Sequence, residues 1–488
     1  VACGRQFIQA RFWAEGKPCL HHYRGSFYSW RNTHFRERDD DYIRAELYEF
    51  LHKALTQNKA GNVVPFNPTT DKVNKIFDAI RAGCHLDAEQ EAPCWLLGES
   101  EHPAPEQLIA CRNGLLDITT RELSPHSPFF FNMNALEFDY QADAPRPERW
   151  GRFLEELWPE DEAARLTLQE IFGLLLTGDT SFQKIFMLVG PKRSGKGTIG
   201  HVLKMLLGKD NVVAPTMASL GTDNEFVLWP VIDKRLAIVP DARLAPGRGG
   251  SRAVERLLSI SGEDPQTIDR KHKTAWTGKL DARFVILTNE LPRLPDASGA
   301  LASRFITLTL QHSFYGKEDR GLKEKLRSEL PGILNWALEG LRRLQERGRF
   351  DPPSSSLDTF QYMEDLSSPV GAFVRDKCEV RADARIEKAD LYDAYKRYCE
   401  AQGDKHPYTQ LMFGRNLTAA YPSVRVGHSG ATKFYYGIRL KLRKQEEEDE
   451  EDDDAYNPNR SYRTRRWTRG ASRHPDAEDD EGEEEVTD

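Results

Sequence analysis

Nine residues, Gly190-Pro191-Lys192-Arg193-Ser194-Gly195-Lys196-Gly197-Thr198, have the types and spacing that hold phosphate. The glycines let backbone N–H groups curl around anionic oxygens, and a helix opening at the loop's end adds its positive pole. In this arrangement Lys196 reaches the terminal phosphates, and a hydroxyl just beyond the lysine meets a magnesium ion. Gly197 stands where that hydroxyl usually sits, so Thr198, one position later, is the choice for the metal. The apolar run Ile185–Val189 before the loop and the helix-like run 199–207 after it supply the strand and helix that such a loop needs.

Phosphate chemistry of this kind needs a carboxylate from a second strand to hold the metal. Leu236-Ala237-Ile238-Val239-Pro240-Asp241 offers Asp241, with Ala242 rather than a second acid after it. A carboxylate that merely caps a turn is the plainer alternative. Asn289, after Phe284-Val285-Ile286-Leu287-Thr288, is placed to orient an attacking water or sense a γ-phosphate; as a plain turn residue it would need no such role. Arg304, before another apolar run, could stabilise phosphoryl charge, an effect worth roughly 10³–10⁵ in rate where it operates. A surface ion pair is the alternative there. Arg270-Lys271-His272-Lys273 puts four basic side chains in a row, suited to phosphates of a nucleic-acid strand if a hairpin presents them.

The elements around these residues are those of an α/β chain. The strand-like runs 185–189, 236–239 and 284–287 are continuously apolar, as in parallel strands covered on both faces. Helical spacing of apolar residues is read over Tyr42–Leu55, led by Asp39-Asp40-Asp41 as an N-terminal cap rather than a metal site. It is read again over residues 150–177, with stripes Trp150, Phe153, Leu154, Leu157, Trp158 and then Leu166, Leu168, Ile171, Leu174, Leu175. Asn113-Gly114 between apolar runs signals a tight hairpin turn.

The 488 residues suit roughly three domains. The boundaries read as 1–149, an α/β domain; 150–350, the phosphate-loop core with flanking helices; 351–364, a linker marked by Asp351-Pro352-Pro353-Ser354-Ser355-Ser356; 365–444, a small domain; and 445–488, a disordered acidic tail with nine consecutive acids at 446–454. The tail holds 18 acids against 6 arginines, a net −12, which leaves +4 on the first 444 residues of a chain whose total is −8. A mildly basic body permits nucleic-acid binding without proving it. Competition between the tail and DNA for that body, and plain solubilisation, are both open readings of the tail.

Seven cysteines without a C-x-x-C pair argue against a disulfide framework or zinc ribbon. No run of about 18 apolar residues suggests a membrane span. With Val1 at the start and no signal-peptide pattern, the reading is of a cytoplasmic protein cut from a longer one.

Taken in order, these segments resemble the superfamily 3 helicase module of phage and plasmid primase–helicases, with the poxvirus primase–helicase a more distant relative. The resemblance runs over about residues 1–440. It includes Arg112-Asn113-Gly114-Leu115-Leu116-Asp117, Gly262-Glu263-Asp264 with Arg270-Lys271, Thr288-Asn289-Glu290-Leu291-Pro292 and Pro331–Ala337. It implies an AAA+ type P-loop ATPase core behind an α/β pre-helicase domain, using ATP and Mg²⁺. It further implies a hexameric ring that hydrolyses ATP to translocate on single-stranded or forked DNA, with a replication initiator or primase as partner. On that resemblance Lys196 and Thr198 hold nucleotide and metal, Asp241 is the second acid and Asn289 the sensor. Arg304 would reach a neighbouring subunit's ATP, and Lys271, His272 and Lys273 would lie near the DNA-gripping hairpin. No primase catalytic set is read here; that activity would lie upstream of Val1.

The small domain resembles a winged helix, with Lys388–Cys399 one helix, Tyr408–Ala420 the recognition helix and a wing around Gly427–Gly430. Arg415 and Lys433 would meet DNA backbone. A winged helix used for protein contacts is the alternative. At the level of function, two others stand beside the helicase: a nucleotide kinase, which shares Gly195-Lys196-Gly197-Thr198, and an ATP-binding origin-recognition or regulatory module without unwinding.

Overall fold

The computed structural model describes residues 1–96, 102–224, 226–242, 248–271, 273–291, 302–403, 407–430 and 432–441. Val1–Leu440 form one compact unit. His272 and the acidic tail, 445–488, lie outside the described residues.

The N-terminal part packs α1 (Ala2–Arg11), α2 (Asp40–His52) and α3 (Thr70–Gly83) around a three-stranded antiparallel sheet of β1 (Leu20–Tyr23), β2 (Ser26–Trp30) and β3 (Phe35–Arg38). Asp39 caps α2, its carboxylate accepting from the Tyr42 N–H at 2.6 Å, and Asp40 and Asp41 fill the first turn. The helix buries Ile43, Leu47 and Leu51. It stops at His52, short of Leu55, which lies in a separate short strand and is 68% exposed. Gly114 opens β5 (Gly114–Asp117), paired with β4 (Leu108–Cys111), so Asn113-Gly114 does turn a hairpin.

Two helices lead into the core. In α4 (Glu148–Leu157) the apolar stripe Trp150, Phe153, Leu154, Leu157 is buried. In α5 (Glu162–Leu176) burial runs nearly all round from Thr167, while Leu166 turns out to be 39% exposed. Helix α9 (Leu330–Arg347) crosses α5 closely because both carry glycine at the contact. A Cβ on Gly173 would lie 2.4 Å from the Ala337 carbonyl oxygen, and one on Gly340 2.4 Å from that of Gln169. Beside this seam the Glu170 carboxylate, 1% exposed as a residue, is held by Arg343 at 2.8 Å and Arg347 at 2.6 Å.

The core is a five-stranded parallel sheet. Its strands are β6 (Ile185–Val189), β7 (Val212–Val213), β8 (Leu236–Pro240), β11 (Arg283–Thr288) and β12 (Phe305–Thr309), in spatial order β7-β8-β11-β6-β12. All five residues of β6 are buried, as its unbroken apolar run requires. Helix α6 (Lys196–Leu207) follows β6, α7 (Arg248–Ser261) follows β8, and α8 (Leu322–Ser328) follows β12. Between α7 and β11 an antiparallel hairpin projects, β9 (Gln266–Arg270) and β10 (Lys273–Gly278).

The segment expected as a linker, 351–364, is structured from Ser354 onward: α10 (Ser354–Ser367) lies against β12. The Thr307 N–H donates to Ser356 Oγ at 3.2 Å, and the Thr167 hydroxyl donates to the Asp351 carbonyl at 3.3 Å. Proline and serine here start a helix, since serine hydroxyls serve polar groups that a free linker would leave to water.

The C-terminal domain contains α11 (Pro369–Lys377), β13 (Cys378–Glu387), α12 (Lys388–Ala401), α13 (Gln410–Ala420), β14 (Arg425–Ser429) and β15 (Thr432–Leu440). Its sheet order is β13-β15-β14. Phe373, Leu391, Tyr395, Phe413, Leu417, Tyr435 and Ile438 form its core. All seven cysteines are free thiols, five of them buried. Among the described residues no helix is long and apolar enough to cross a membrane.

Candidate functional site

The loop Gly190–Gly195 joins the end of β6 to the start of α6, the strand-to-helix setting that its sequence requires. Arg193 and Gly195 both adopt positive φ, 62° and 93°. Gly195 is needed for a second reason: a Cβ there would meet Leu157 of α4 at 2.7 Å and Phe153 at 3.1 Å. Gly190 is equally confined, 2.5 Å from the Leu310 carbonyl oxygen by the same measure. The segment after β12 is stitched to the loop, since Phe314 N–H donates to the Arg193 carbonyl at 2.9 Å and Ser313 Oγ to that of Lys192 at 2.8 Å.

Lys196 is 8% exposed. Its ammonium donates to the carbonyls of Gly190 at 2.6 Å and Pro191 at 2.8 Å and to Ser194 Oγ at 3.0 Å. Burial pushes its pKa down. The charge is therefore desolvated and held within the curl of the loop, so an anion placed there meets a cation already stripped of water. Gly197 faces open space: a Cβ added there would meet nothing within 4 Å. Thr198 is half-buried one residue on.

A cavity of about 750 Å³ opens at this loop. Residues from Lys192 to Thr198 line it, together with Asn289, α4 (Arg149, Phe153, Glu156) and the stretch after β12 (Phe314, Lys317, Glu318, Asp319, Arg320, Leu322, Lys323). Seven lining side chains are cationic and three acidic. The acids are engaged locally: Glu318 lies 3.5 Å from Arg193, Glu156 3.1 Å from Arg149, and Asp319 2.8 Å from Lys325. The walls leave an excess of positive charge around a buried lysine. Such an excess lowers the energy of any anion placed in the space. Arg149, Lys317, Arg320 and Lys323 were not singled out from sequence. They sit far from the loop along the chain, and no local pattern marks them.

The carboxyl ends of the parallel strands bring the other candidates to one edge. Register pairs Pro240 with Leu287, and Thr288 with Val189, so Asp241, Asn289 and Gly190 follow one another along that edge. The Asp241 N–H donates to the Leu287 carbonyl at 2.7 Å, and Asp241 has φ of 53°, a left-handed conformation that aspartate tolerates better than most residues. Asp241 is exposed and one strand beyond Asn289; it is not among the residues lining the cavity, so the acid stands beside the pocket rather than closing it.

Arg304 takes a different place. Phe305 pairs with Ile185, at the amino-terminal end of β6, so Arg304 lies at the edge of the sheet opposite the Gly190–Gly195 loop. Its guanidinium donates to the Leu258 carbonyl at 2.7 Å and to Ser261 Oγ at 2.9 Å, at the end of α7. Within one chain it does not join the loop.

The basic run 270–273 does sit at a hairpin turn, but two of its members are committed inward. Arg270 is buried; its guanidinium donates to the Thr274 carbonyl at 3.0 Å and to the Arg24 carbonyl at 2.7 Å. Lys273 donates to Ser26 Oγ at 3.0 Å and Glu37 Oε1 at 2.7 Å. Both therefore fasten the hairpin to the N-terminal sheet. This corrects the expectation that they are free for phosphate, because their charged groups are already hydrogen-bonded across the domain seam. Lys271 remains exposed at the turn. Arg415 on α13 and Lys433 on β15 are exposed. Among the described residues no group of three or more His, Cys, Asp and Glu is placed to hold a metal ion.

Three family descriptions match separate parts of the chain. Residues 9–159 match "D5 N terminal like", residues 188–304 match a family of unknown function, DUF5906, and residues 368–442 match the RFX DNA-binding domain. Human DNA-binding protein RFX5 is 33% identical over 73 residues, covering 14% of this chain and 12% of that protein. The mouse Rfx5 protein is likewise 33% identical over 73 residues, covering 11% of its own length. The chain thus spans only about an eighth of the curated relatives it matches. Among solved structures, the A-form apo C-terminal region of NrS-1 aligns with a TM-score of 0.49 and 11% identity over 85% of this chain and 95% of that one. A second structure of that region, residues 305–718, gives 0.47 at 11% identity, over 85% and 94% of the two chains.

Proposed function

We propose that this chain is an ATP-driven DNA helicase of phage or plasmid replication, built as an AAA+ type core between a pre-helicase domain and a winged helix. The observation that carries the reading is the cavity at Gly190–Thr198: a desolvated Lys196, backbone of the loop, Asn289 and a surplus of cations around one space. A nucleoside triphosphate matches that chemistry in charge and size. Lys196 would neutralise the terminal phosphates. Thr198 and Asp241 are the residues assigned to Mg²⁺, whose remaining ligands are phosphate oxygens and water. Asn289, between Asp241 and the loop, would orient the attacking water.

Arg304 lies too far along its own sheet to serve its own loop. Its role would therefore be in trans, on the nucleotide of a neighbouring copy in a hexameric ring, and this is the reason for a homo-oligomer. The match of residues 9–159 to a D5 N-terminal-like family agrees with the primase–helicase resemblance, and the RFX DNA-binding match supports a DNA partner for the last domain. Arg415 and Lys433 are the proposed backbone contacts there, and exposed Lys271 is the proposed contact on the hairpin.

The test is ATP turnover by the full chain with and without single-stranded DNA, alongside unwinding of a forked duplex. Wild type should hydrolyse ATP faster on DNA and separate strands. Lys196→Ala should lose both while still binding DNA. Normal unwinding by Lys196→Ala would overturn the assignment of the loop. Tight ATP binding with background turnover on DNA would favour a regulatory module instead.

A further inference from the structure

We infer that the open face of the C-terminal sheet is a base-stacking platform for single-stranded nucleic acid, separate from the helix and wing-tip contacts proposed above. The sheet order β13-β15-β14 makes β15 the central strand. Tyr435 points into the domain core, fully buried. By alternation its neighbours Phe434 and Tyr436 stand on the other face, each partly exposed. Their rings are neighbours, with centroids 6.3 Å apart.

Cross-strand register fixes what flanks them. Tyr436 pairs with Arg385 on one side and Arg425 on the other. Phe434 pairs with Glu387 and Gly427. Both arginines are exposed, and Arg385 lies 5.4 Å from the centroid of the Phe434 ring. Gly427 leaves room for Tyr436: a Cβ there would come within 2.7 Å of the tyrosine ring. The result is two aromatic rings on a central strand, over a glycine floor, between two guanidinium groups.

The rings have a use on a single strand and little use on a duplex. Bases offer π faces only when unpaired, and stacking on aromatic side chains tolerates any base. The arginines neutralise the backbone to either side, and Glu387 is the acid in the two rows that carry the rings. A sheet that stacks bases on its central-strand aromatics is an established physical solution for reading unpaired strands. A duplex presents phosphate and groove edges to such a face and no ring surface. Stacking on the rings and charge pairing with the arginines do not depend on the sugar, so DNA and RNA strands should both bind.

The experiment uses the full chain and two fluorescent probes, an oligo-dT and an oligo-rU, with a blunt DNA duplex for comparison. Phe434→Leu and Tyr436→Leu should each weaken binding of both single strands by about ten-fold. Duplex binding should change less than about two-fold, and Tyr436→Phe should retain affinity because it keeps the ring. A strand carrying 2-aminopurine should show quenching that Tyr436→Leu abolishes. Unchanged single-strand affinity in both leucine variants, with the thermal transition of the domain intact, would overturn the assignment. So would equal losses on single strand and duplex, which would mark a packing role. The Lys196→Ala chain should show the same pattern, so failure of the ATP reading and failure of the platform are separable.

Discussion

The Lys273 ammonium of the core hairpin lies 2.7 Å from the Glu37 carboxylate of the N-terminal sheet. Two further contacts share this seam. Arg270 donates to the Arg24 carbonyl, and the Tyr28 hydroxyl donates to Asp233 Oδ2 at 2.9 Å. The turn at Gly25 sits directly against Thr274 and Arg270. The hairpin proposed to meet DNA is thus held by the domain in front of it.

Loosening that hold should release the hairpin. Burial by itself would raise the Glu37 carboxyl, but hydrogen bonds from Lys273 and Ser26 and the charges of Lys273 and Arg270 outweigh it and hold it below the usual range. A depressed acid contributes stability above its unfolded pKa and loses it as pH falls through the folded one, so this contact is intact at neutral pH. Glu37→Gln should cost about 0.5–1 kcal/mol, since both side chains are partly exposed. Hydrogen exchange over residues 266–278 should quicken at pH 7. Exchange there identical to wild type would show that the pair does not restrain the hairpin.

Asp233, on the same seam, should behave with the opposite sign. Burial raises its carboxyl to about 6; Glu37 and Asp281 add to this, while the Tyr28 hydrogen bond and Lys234 oppose it. A raised acid gives stability that is full below its unfolded pKa and is lost as pH rises through about 6. Asp233→Asn keeps an acceptor for Tyr28 without the charge. It should stabilise the protein at pH 7.5 by at most about 3 kcal/mol, from roughly 1.4 kcal/mol per unit. The advantage should vanish near pH 4. A melting curve with the same gap at both pH values would refute the titration.

Gly195→Ala tests the coupling of α4 to the loop. The new methyl would be both conformationally strained at φ of 93° and in collision with Leu157 and Phe153. Binding of a fluorescent ATP analogue should weaken by at least about ten-fold, equivalent to roughly 1.4 kcal/mol. The global melting temperature should fall by far less than for a core deletion. Undiminished binding would mean that the loop's shape does not govern nucleotide affinity.

Glu170 anchors the helix pair behind the core. Removing it leaves Arg343 and Arg347 without their shared buried acceptor. Glu170→Ala should destabilise by about 3 kcal/mol, the lower end for breaking a buried pair because both arginines remain partly exposed. Chemical denaturation measures it. A loss under about 1 kcal/mol would place the α5–α9 adhesion in the glycine-mediated packing alone.

Local chemistry made much of this protein legible from its sequence. The loop at 190–195 between its strand and its helix declares itself because glycine spacing, an apolar run and helical periodicity are all short-range. The same holds for the Asp39 cap, the Asn113-Gly114 turn and, in the C-terminal domain, the helices near 388–399 and 408–420 and the wing around 427–430, though not α11 or β13. Order along the chain also placed Asp241 and Asn289 at strand ends.

Tertiary structure alone decided which of those residues share a space. Strand order put Asn289 in the cavity and Asp241 one strand outside it, and sent Arg304 to the far edge, because parallel register is a non-local property. It drew Arg149 and Lys323 to the loop from segments about 40 and 125 residues away. It also spent Arg270 and Lys273 on a domain seam, turned a Pro/Ser stretch into a docked helix and exposed Phe434 and Tyr436 on one face. A side chain's type fixes what it can bind, but only the packing around it determines whether water, a neighbouring domain or a ligand reaches it.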